Sequence, residues 1–243
     1  MSDWAPKRFW KKVEVVEHAN GFSVALDGRS VRTPAKKPLI VPTRAMAAMI
    51  AAEWDAQIEK VDPETMPVMR GANAAIDKVA TQHSEVAEML AAYGDSDLLC
   101  YRADSPEELV ARQAVGWDPL LDWAEAEFGQ RLSVFAGVMH ESQPLAALEP
   151  MTKAVHRLSA FEMAAFHDLV SLSGSLVIGF AAARNVTDAE RLWDLSRIDE
   201  DWQAEQWGID DEAAENAGIK RKSFLNAKRF FDASTTNGVV QGN

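Results

Sequence analysis

Two turn dipeptides close together near the start of the chain constrain its fold more than any other feature. Asn20-Gly21 and Asp27-Gly28 each separate short runs in which side-chain character alternates. Val13 and Val15 alternate with Lys12 and Glu14, and Phe22, Val24 and Leu26 alternate with Ser23 and Ala25. Asn-Gly and Asp-Gly both tolerate positive φ, so this pattern predicts tight hairpins. Val31 and Thr33 continue it, Pro34 and Pro38 limit it, and Leu39-Ile40-Val41 reads as a fourth strand. The first 42 residues are therefore expected to form a small antiparallel sheet.

At Thr43 the period changes. Thr43 is a plausible N-cap, and Met46, Ile50, Trp54 and Ile58 recur at four-residue steps on one helical face. Asp62-Pro63 and Met66-Pro67 then interrupt the helix, because a residue preceding proline is driven out of the helical region. Beyond them the pattern is helical: about 72–92, then a helix opened by Ser105-Pro106-Glu107-Glu108 and ended by Gly129, with Asp118-Pro119 restarting or kinking it. Residues 130–149 read as loop with room for a short extended piece, and Pro150 is expected to open the next helix. Ser159-Ala160-Phe161-Glu162 and Thr187-Asp188-Ala189-Glu190 are further capping boxes, the last opening a helix to Gly208. Ser171–Ala183 is small and apolar throughout but too short for a bilayer, so a buried central helix is expected. The fold class is α+β. A small domain of sheet plus helix over 1–68 precedes a helical bundle over 69–233, with a disordered tail over 234–243.

Composition narrows the function classes. The chain has 243 residues, 47% of them hydrophobic, which is enough for a core and rules out a solvating acidic tail. No apolar run reaches membrane-spanning length, and the N-terminus lacks a signal-peptide layout, so a soluble protein without membrane insertion is expected. Cys100, the single cysteine, fits a reducing compartment and reads as a small buried hydrophobe between leucines and a tyrosine. The net charge of −12 is uneven: residues 1–44 carry +5 and the remainder −17. So acidic a body disfavours nucleic acid as a partner. Lys7, Arg8, Lys11 and Lys12 read as a solvated edge that resists strand pairing.

Motifs for catalysis and cofactors are missing. There is no phosphate loop, no dinucleotide fingerprint and no nucleophile elbow around Ser173. His18, His83, His140, His156 and His167 include no pair spaced by four, so no metal is expected. What stands out is Asp194–Glu215, with nine carboxylates and one base, Arg197. Two such acids with separated pKa values could perform acid–base chemistry, as in a hydrolase. A solvated helix face is the commoner meaning of such a run. Continued as one helix, the segment puts Leu192, Leu195, Asp199 and Trp202 on one stripe and Trp193, Arg197, Glu200 and Trp207 on the next. Charge bordered by large aromatics suits a protein partner. Of the eight tryptophans, Trp54, Trp117, Trp123, Trp193, Trp202 and Trp207 fall in predicted helices, where core packing is the default.

Several strings in order resemble one known family. They are Lys7-Arg8-Phe9-Trp10-Lys11-Lys12-Val13, Leu26-Asp27-Gly28-Arg29 with Thr33-Pro34, and Glu53-Trp54-Asp55 with Gln57. Met66-Pro67 with Ala75-Ile76-Asp77, Asp97-Leu98-Leu99-Cys100-Tyr101-Arg102, and Trp117-Asp118-Pro119-Leu120 with Trp123 follow. Arg197-Ile198-Asp199-Glu200-Asp201-Trp202-Gln203 with Trp207-Gly208 completes the set. The chain resembles the assembly chaperones of the ATP synthase F(1) alpha subunit. The resemblance implies a two-domain α+β protein that is not an enzyme and needs no cofactor. It implies a protein that holds the unassembled alpha subunit against aggregation and releases it as the alpha–beta ring forms. It also implies an important acid in the last block, for which Glu200 is the first choice, with Asp201, Gln203, Trp207, Arg197 and Trp193 around it as partner-binding residues. Without a mitochondrial presequence, a bacterial cytoplasmic member is expected, its eukaryotic relatives working in the mitochondrial matrix, and the free protein is expected to be a monomer. A hydrolase using the 194–215 acids and a general holdase or adaptor are the alternatives.

Overall fold

The structure, a computed structural model, describes residues 7–235. The expected frayed tail largely lies outside them, as does the N-terminal hexapeptide; Ser234 itself is buried and closes the last helix. The chain divides into two compact units. The first holds the residues up to His83, Ser159–Ala165 and the chain from Arg229. The second holds Ser84–Leu158 and Phe166–Lys228. The first unit thus runs past residue 68, where the small domain was expected to end.

In the first unit, β1 (Val13–His18) and β2 (Gly21–Leu26) pair antiparallel from Val13↔Leu26 to His18↔Gly21, and β3 (Arg29–Ser30) completes a three-stranded sheet. Asp27 and Gly28 turn the chain with φ of 47° and 79°, the double positive φ that an Asp-Gly hairpin supplies. Gly21 serves a different purpose. It is the first residue of β2 at φ 142°, and a methyl group there would lie 2.5 Å from the Val41 carbonyl oxygen. No fourth strand forms over Leu39-Ile40-Val41. Leu39 and Val41 are buried, but pairing is limited to isolated bridges, Phe22↔Val41 and Arg32↔Pro38, and proline has no N–H to extend a ladder.

Helix α1 (Arg44–Asp55) is capped by Thr43, whose hydroxyl accepts the Met46 N–H at 3.1 Å, and it buries Met46, Ala47 and Ile50. It ends before Ile58, which is 84% exposed rather than on the buried stripe. Helix α2 (Pro67–Asp77) begins at a proline, and its first free N–H groups are taken by Glu53: Val68 N–H at 2.7 Å and Met69 N–H at 2.8 Å. The expected 72–92 helix is broken. A 3-10 turn over Val79–Thr81 separates α2 from α3 (His83–Ala91).

The second unit is built around α4 (Glu107–Phe128), which passes through Pro119 without interruption. Its expected capping box does not form. Pro106 stands at the cap with no side-chain bond, and the Ser105 hydroxyl faces Asp104 instead. A two-stranded parallel pair, β4 (Tyr101–Arg102) and β5 (Phe135–Ala136), uses the extended piece of the 130–149 stretch. Helix α5 (Leu145–His156) starts five residues ahead of Pro150, which sits inside its first turns. The Ser159–Glu162 box does form: Glu162 accepts the Ser159 N–H at 2.7 Å and Ser159 accepts the Glu162 N–H at 3.3 Å.

The apolar stretch expected as one buried helix is two. Helix α6 (Ala160–Ser173) stops at Gly174, φ 72°, and Ser175 caps α7 (Leu176–Ala183), whose first seven residues are all buried. Gly179 lets α7 approach α6; a methyl group there would lie 2.5 Å from Val170 Cγ2. Around them Phe128 and Phe166 flank Phe180 at ring distances of 4.9 and 4.8 Å. The helix expected to run to Gly208 is also divided, into α8 (Ala189–Leu195) and α9 (Ile198–Trp207), before α10 (Asp211–Ser234). Asp188 stands at the α8 cap without a side-chain bond, so that third capping box is absent too.

Candidate protein-interaction site

The α8–α9 turn decides which of the singled-out residues reach the surface. Ser196 closes α8 by donating its hydroxyl to the Trp193 carbonyl at 2.7 Å, and Arg197 carries the chain into α9 out of helical register. Trp193 turns inward with the buried face of α8. It is 4% exposed, packs against Phe224 at 5.8 Å, and has Arg197 over its ring at 5.9 Å. Trp117 is fully buried and donates its indole N–H to the Leu195 carbonyl at 2.7 Å, holding the end of α8 to α4.

Only Ile198 of α9 is buried. Polar ties to α4 hold the rest. Asp199 accepts from Gln113 Nε2 at 2.6 Å, and Glu205 takes Arg112 in a two-pronged pair at 2.7 and 2.8 Å. That pair lowers the pKa of Glu205 and raises that of Arg112. Arg197 and Glu200 pair at 2.6 Å three residues apart, the surface ion pair that bare helix geometry allows. Asp201, Gln203 and Trp207 face solvent, Trp207 at 80% exposure with Ile209 beside it at 75%. Of the expected partner-binding set, then, Glu200, Asp201, Gln203 and Trp207 share one exposed helix. Arg197 is half-buried beneath them, and Trp193 belongs to the core.

A groove of about 440 Å³ lies between α4 and the α8–α9 turn. Gly116, Leu195 and Ile198 form its floor and Ala111 and Val115 its apolar rim; Glu108, Asp194 and Asp201 stand around it with Arg112 and Arg191. The pKa of Asp201 is raised, chiefly because burial strips water from it, with Asp194 and Glu205 adding repulsion against the opposing pull of Arg197 and Arg112.

Most of the other residues in the ordered strings do structural work that local spacing cannot reveal. Asp27 accepts the backbone N–H groups of Lys11 and Lys12, which lowers its pKa, and Asp77 accepts from Thr33 Oγ1 at 2.7 Å and Ala35 N–H at 3.1 Å. Arg8 is not a solvated edge residue. Its guanidinium bonds the Asp55 carbonyl at 2.7 Å and the Gln57 carbonyl, while Trp10 beneath it packs edge-on against Trp54 at 5.1 Å. Trp54 is half-buried. Arg102 pairs with Asp118 at 2.8 Å and lies over Trp117. Cys100 is wholly buried, and burial pushes its thiol far above the ordinary range, away from nucleophilic use.

His156 pairs with Glu88 and His167 with Asp168, so the two do not converge on a shared site. Among the described residues no group of three or more His, Cys, Asp or Glu side chains could hold a metal ion. No helix among them is long and apolar enough to cross a membrane.

This architecture matches known proteins over nearly its whole length. Atp12 from Paracoccus denitrificans superposes with a TM-score of 0.92 at 46% identity, covering 94% of this chain and 98% of that one. A variant of the same Paracoccus protein, with an aspartate exchanged for lysine, matches at 0.92 and 45%. Mitochondrial Atp12 of Schizosaccharomyces pombe is 27% identical over 231 residues, spanning 89% of this chain and 79% of the yeast protein. The ATP12 chaperone protein family profile matches residues 7–125. Fold and likeness together define an α+β assembly chaperone. The chain belongs to the ATP12 chaperone family.

Proposed function

We propose that this chaperone serves ATP synthase assembly by binding the unassembled F(1) alpha subunit, covering surface that would otherwise aggregate, and releasing it as the alpha–beta ring forms. It acts by binding and not by catalysis, as a monomer in the bacterial cytoplasm, with no cofactor. The observation that carries this reading is α9: Trp207 stands 80% exposed at the end of a helix whose Glu200, Asp201 and Gln203 face solvent. An aromatic anchor beside unburied charge is the composition of a protein interface, where the aromatic supplies energy and the charges set register. Asp199 and Glu205 of the same acidic run are committed to Gln113 and Arg112, which speaks for a structural use of those two acids.

Co-expression with isolated alpha or beta subunit, followed by capture at moderate salt, tests the reading. Selective capture and solubilisation of alpha is the expected result. Equal capture of both subunits would point to a general holdase, and capture of neither by well-folded protein would overturn the client assignment and reopen a search for a substrate of the 194–215 carboxylates.

A further inference from the structure

The groove beside α9 has the shape and charge of a seat for one particular kind of chain. Its floor exists because residue 116 is glycine: a methyl group there would lie 2.6 Å from Ile198 Cδ1 and 3.0 Å from Leu195 Cδ2. Val115, 76% exposed, leaves an apolar shoulder on α4 with nothing over it among the described residues. Of the two arginines around the groove, Arg112 is already neutralised by Glu205. Asp194 and Asp201 have no side-chain hydrogen bond among the described residues, and Asp194 repels Asp201 against the stronger pull of Arg197 and Arg112. The segment from Asp188 to Glu205 carries seven acids against two arginines, so the local field is negative.

We propose that this groove receives a basic and aliphatic stretch of the client polypeptide, a lysine or arginine stem lying over Gly116 with its charge between Asp194 and Asp201 and a neighbouring apolar side chain against Val115. The stem of such a residue covers apolar surface while its head stays with the carboxylates. An arriving cation would relieve both the repulsion between the two aspartates and the lost hydration of Asp201. A purely apolar segment would leave those charges desolvated and unpaired, which is costly, so the groove discriminates by charge. The proposal rests on the client reading above only for the identity of the polypeptide.

The test uses the full chain and two probes. The first is a fluorescein-labelled peptide alternating leucine with arginine, read by anisotropy beside a twin with glutamine for arginine; the second is the isolated alpha subunit. Three variants are compared: Asp194→Asn with Asp201→Asn, Val115→Ser, and a control, Glu212→Gln with Glu215→Gln, that removes the same charge from the exposed start of α10. The groove double variant should weaken the arginine peptide about tenfold or more and Val115→Ser about threefold, with the control unchanged and the glutamine twin unbound. Equal losses in the two double variants would mean attraction by net charge alone and would overturn the proposal. So would equal binding of the glutamine twin, or a dimer of the wild type that Val115→Ser dissolves. If wild type shows the predicted peptide pattern but captures no alpha subunit, the client reading falls and the groove stands. If it captures alpha while the peptide ignores every variant, the groove falls and the client reading stands.

Discussion

Asp97 and Val177 lie 80 residues apart in sequence and are joined by a buried hydrogen bond: the carboxylate Oδ2 accepts the Val177 N–H at 3.0 Å. Its other oxygen accepts the Leu99 N–H at 3.0 Å, so one side chain caps both the 3-10 turn Leu98–Cys100 and the start of α7. Asp97→Ala leaves two buried N–H groups without partners. It should cost about 2–5 kcal/mol, read as a lower urea midpoint at unchanged slope.

The same residue sets a pH dependence. Burial lifts the Asp97 pKa from 3.8 to about 6, against the opposing pull of its hydrogen bonds. A folded-state pKa above the unfolded one means that the protonated form favours folding. The contribution is therefore full below about 4 and is lost as pH rises through about 6, by up to about 3 kcal/mol. Stability of wild type minus that of Asp97→Asn should fall across this window and level off above it. Urea titrations of both proteins from pH 4 to 7.5 check this; a difference that rises with pH would contradict the assignment.

Glu53 has the equivalent position in the first unit, with both carboxylate oxygens on the opening N–H groups of α2. Glu53→Gln keeps one acceptor and should cost about 1–2 kcal/mol; Glu53→Ala keeps neither and should cost more. Thermal melts of the two variants give the order.

Two helix glycines should respond to alanine in opposite directions. At Gly179 the added methyl meets Val170 and Phe166 in a filled core, so Gly179→Ala should destabilise by about 1–3 kcal/mol. Gly218 in α10 faces open space, and Gly218→Ala should stabilise by up to about 1 kcal/mol through helix propensity alone.

Glu200→Lys and Trp207→Ala separate binding from folding. The Arg197–Glu200 pair is half-exposed and worth a few tenths of a kcal/mol, and Trp207 buries little, so both variants should melt within about 2 °C of wild type. Capture of the alpha subunit should nonetheless fall about tenfold. Unchanged capture by both would remove α9 from the interface.

What was legible in the chain were features whose cause lies within a few residues. Asp27-Gly28, the Thr43 cap and the Ser159–Glu162 box announce themselves because turn and cap chemistry is local. The break at Gly174 was hidden because both flanks are apolar, and a buried helix has no polar face to interrupt. Extending one helix through Ser196 puts Trp193 beside Trp207; the break there separates the two, and Trp193 packs into the core with α8. The acids of α9 could be read as a face. The purpose of Glu53, Asp77 and Asp97 could not, because each has a partner 15 to 80 residues away that only the folded chain brings to it.

With a single buried residue, Ile198, and half-buried Trp202, α9 keeps its position in good part through the Gln113 and Arg112 ties. Ionic strength therefore acts on it twice. On the client reading proposed above, added salt would screen the attraction of its carboxylates for a cationic client and would also slacken the guanidinium clamp that presents them. Such a handle would be stiff when the surroundings are dilute in ions and pliable when they are not, so on that reading one variable would govern both grip and letting go.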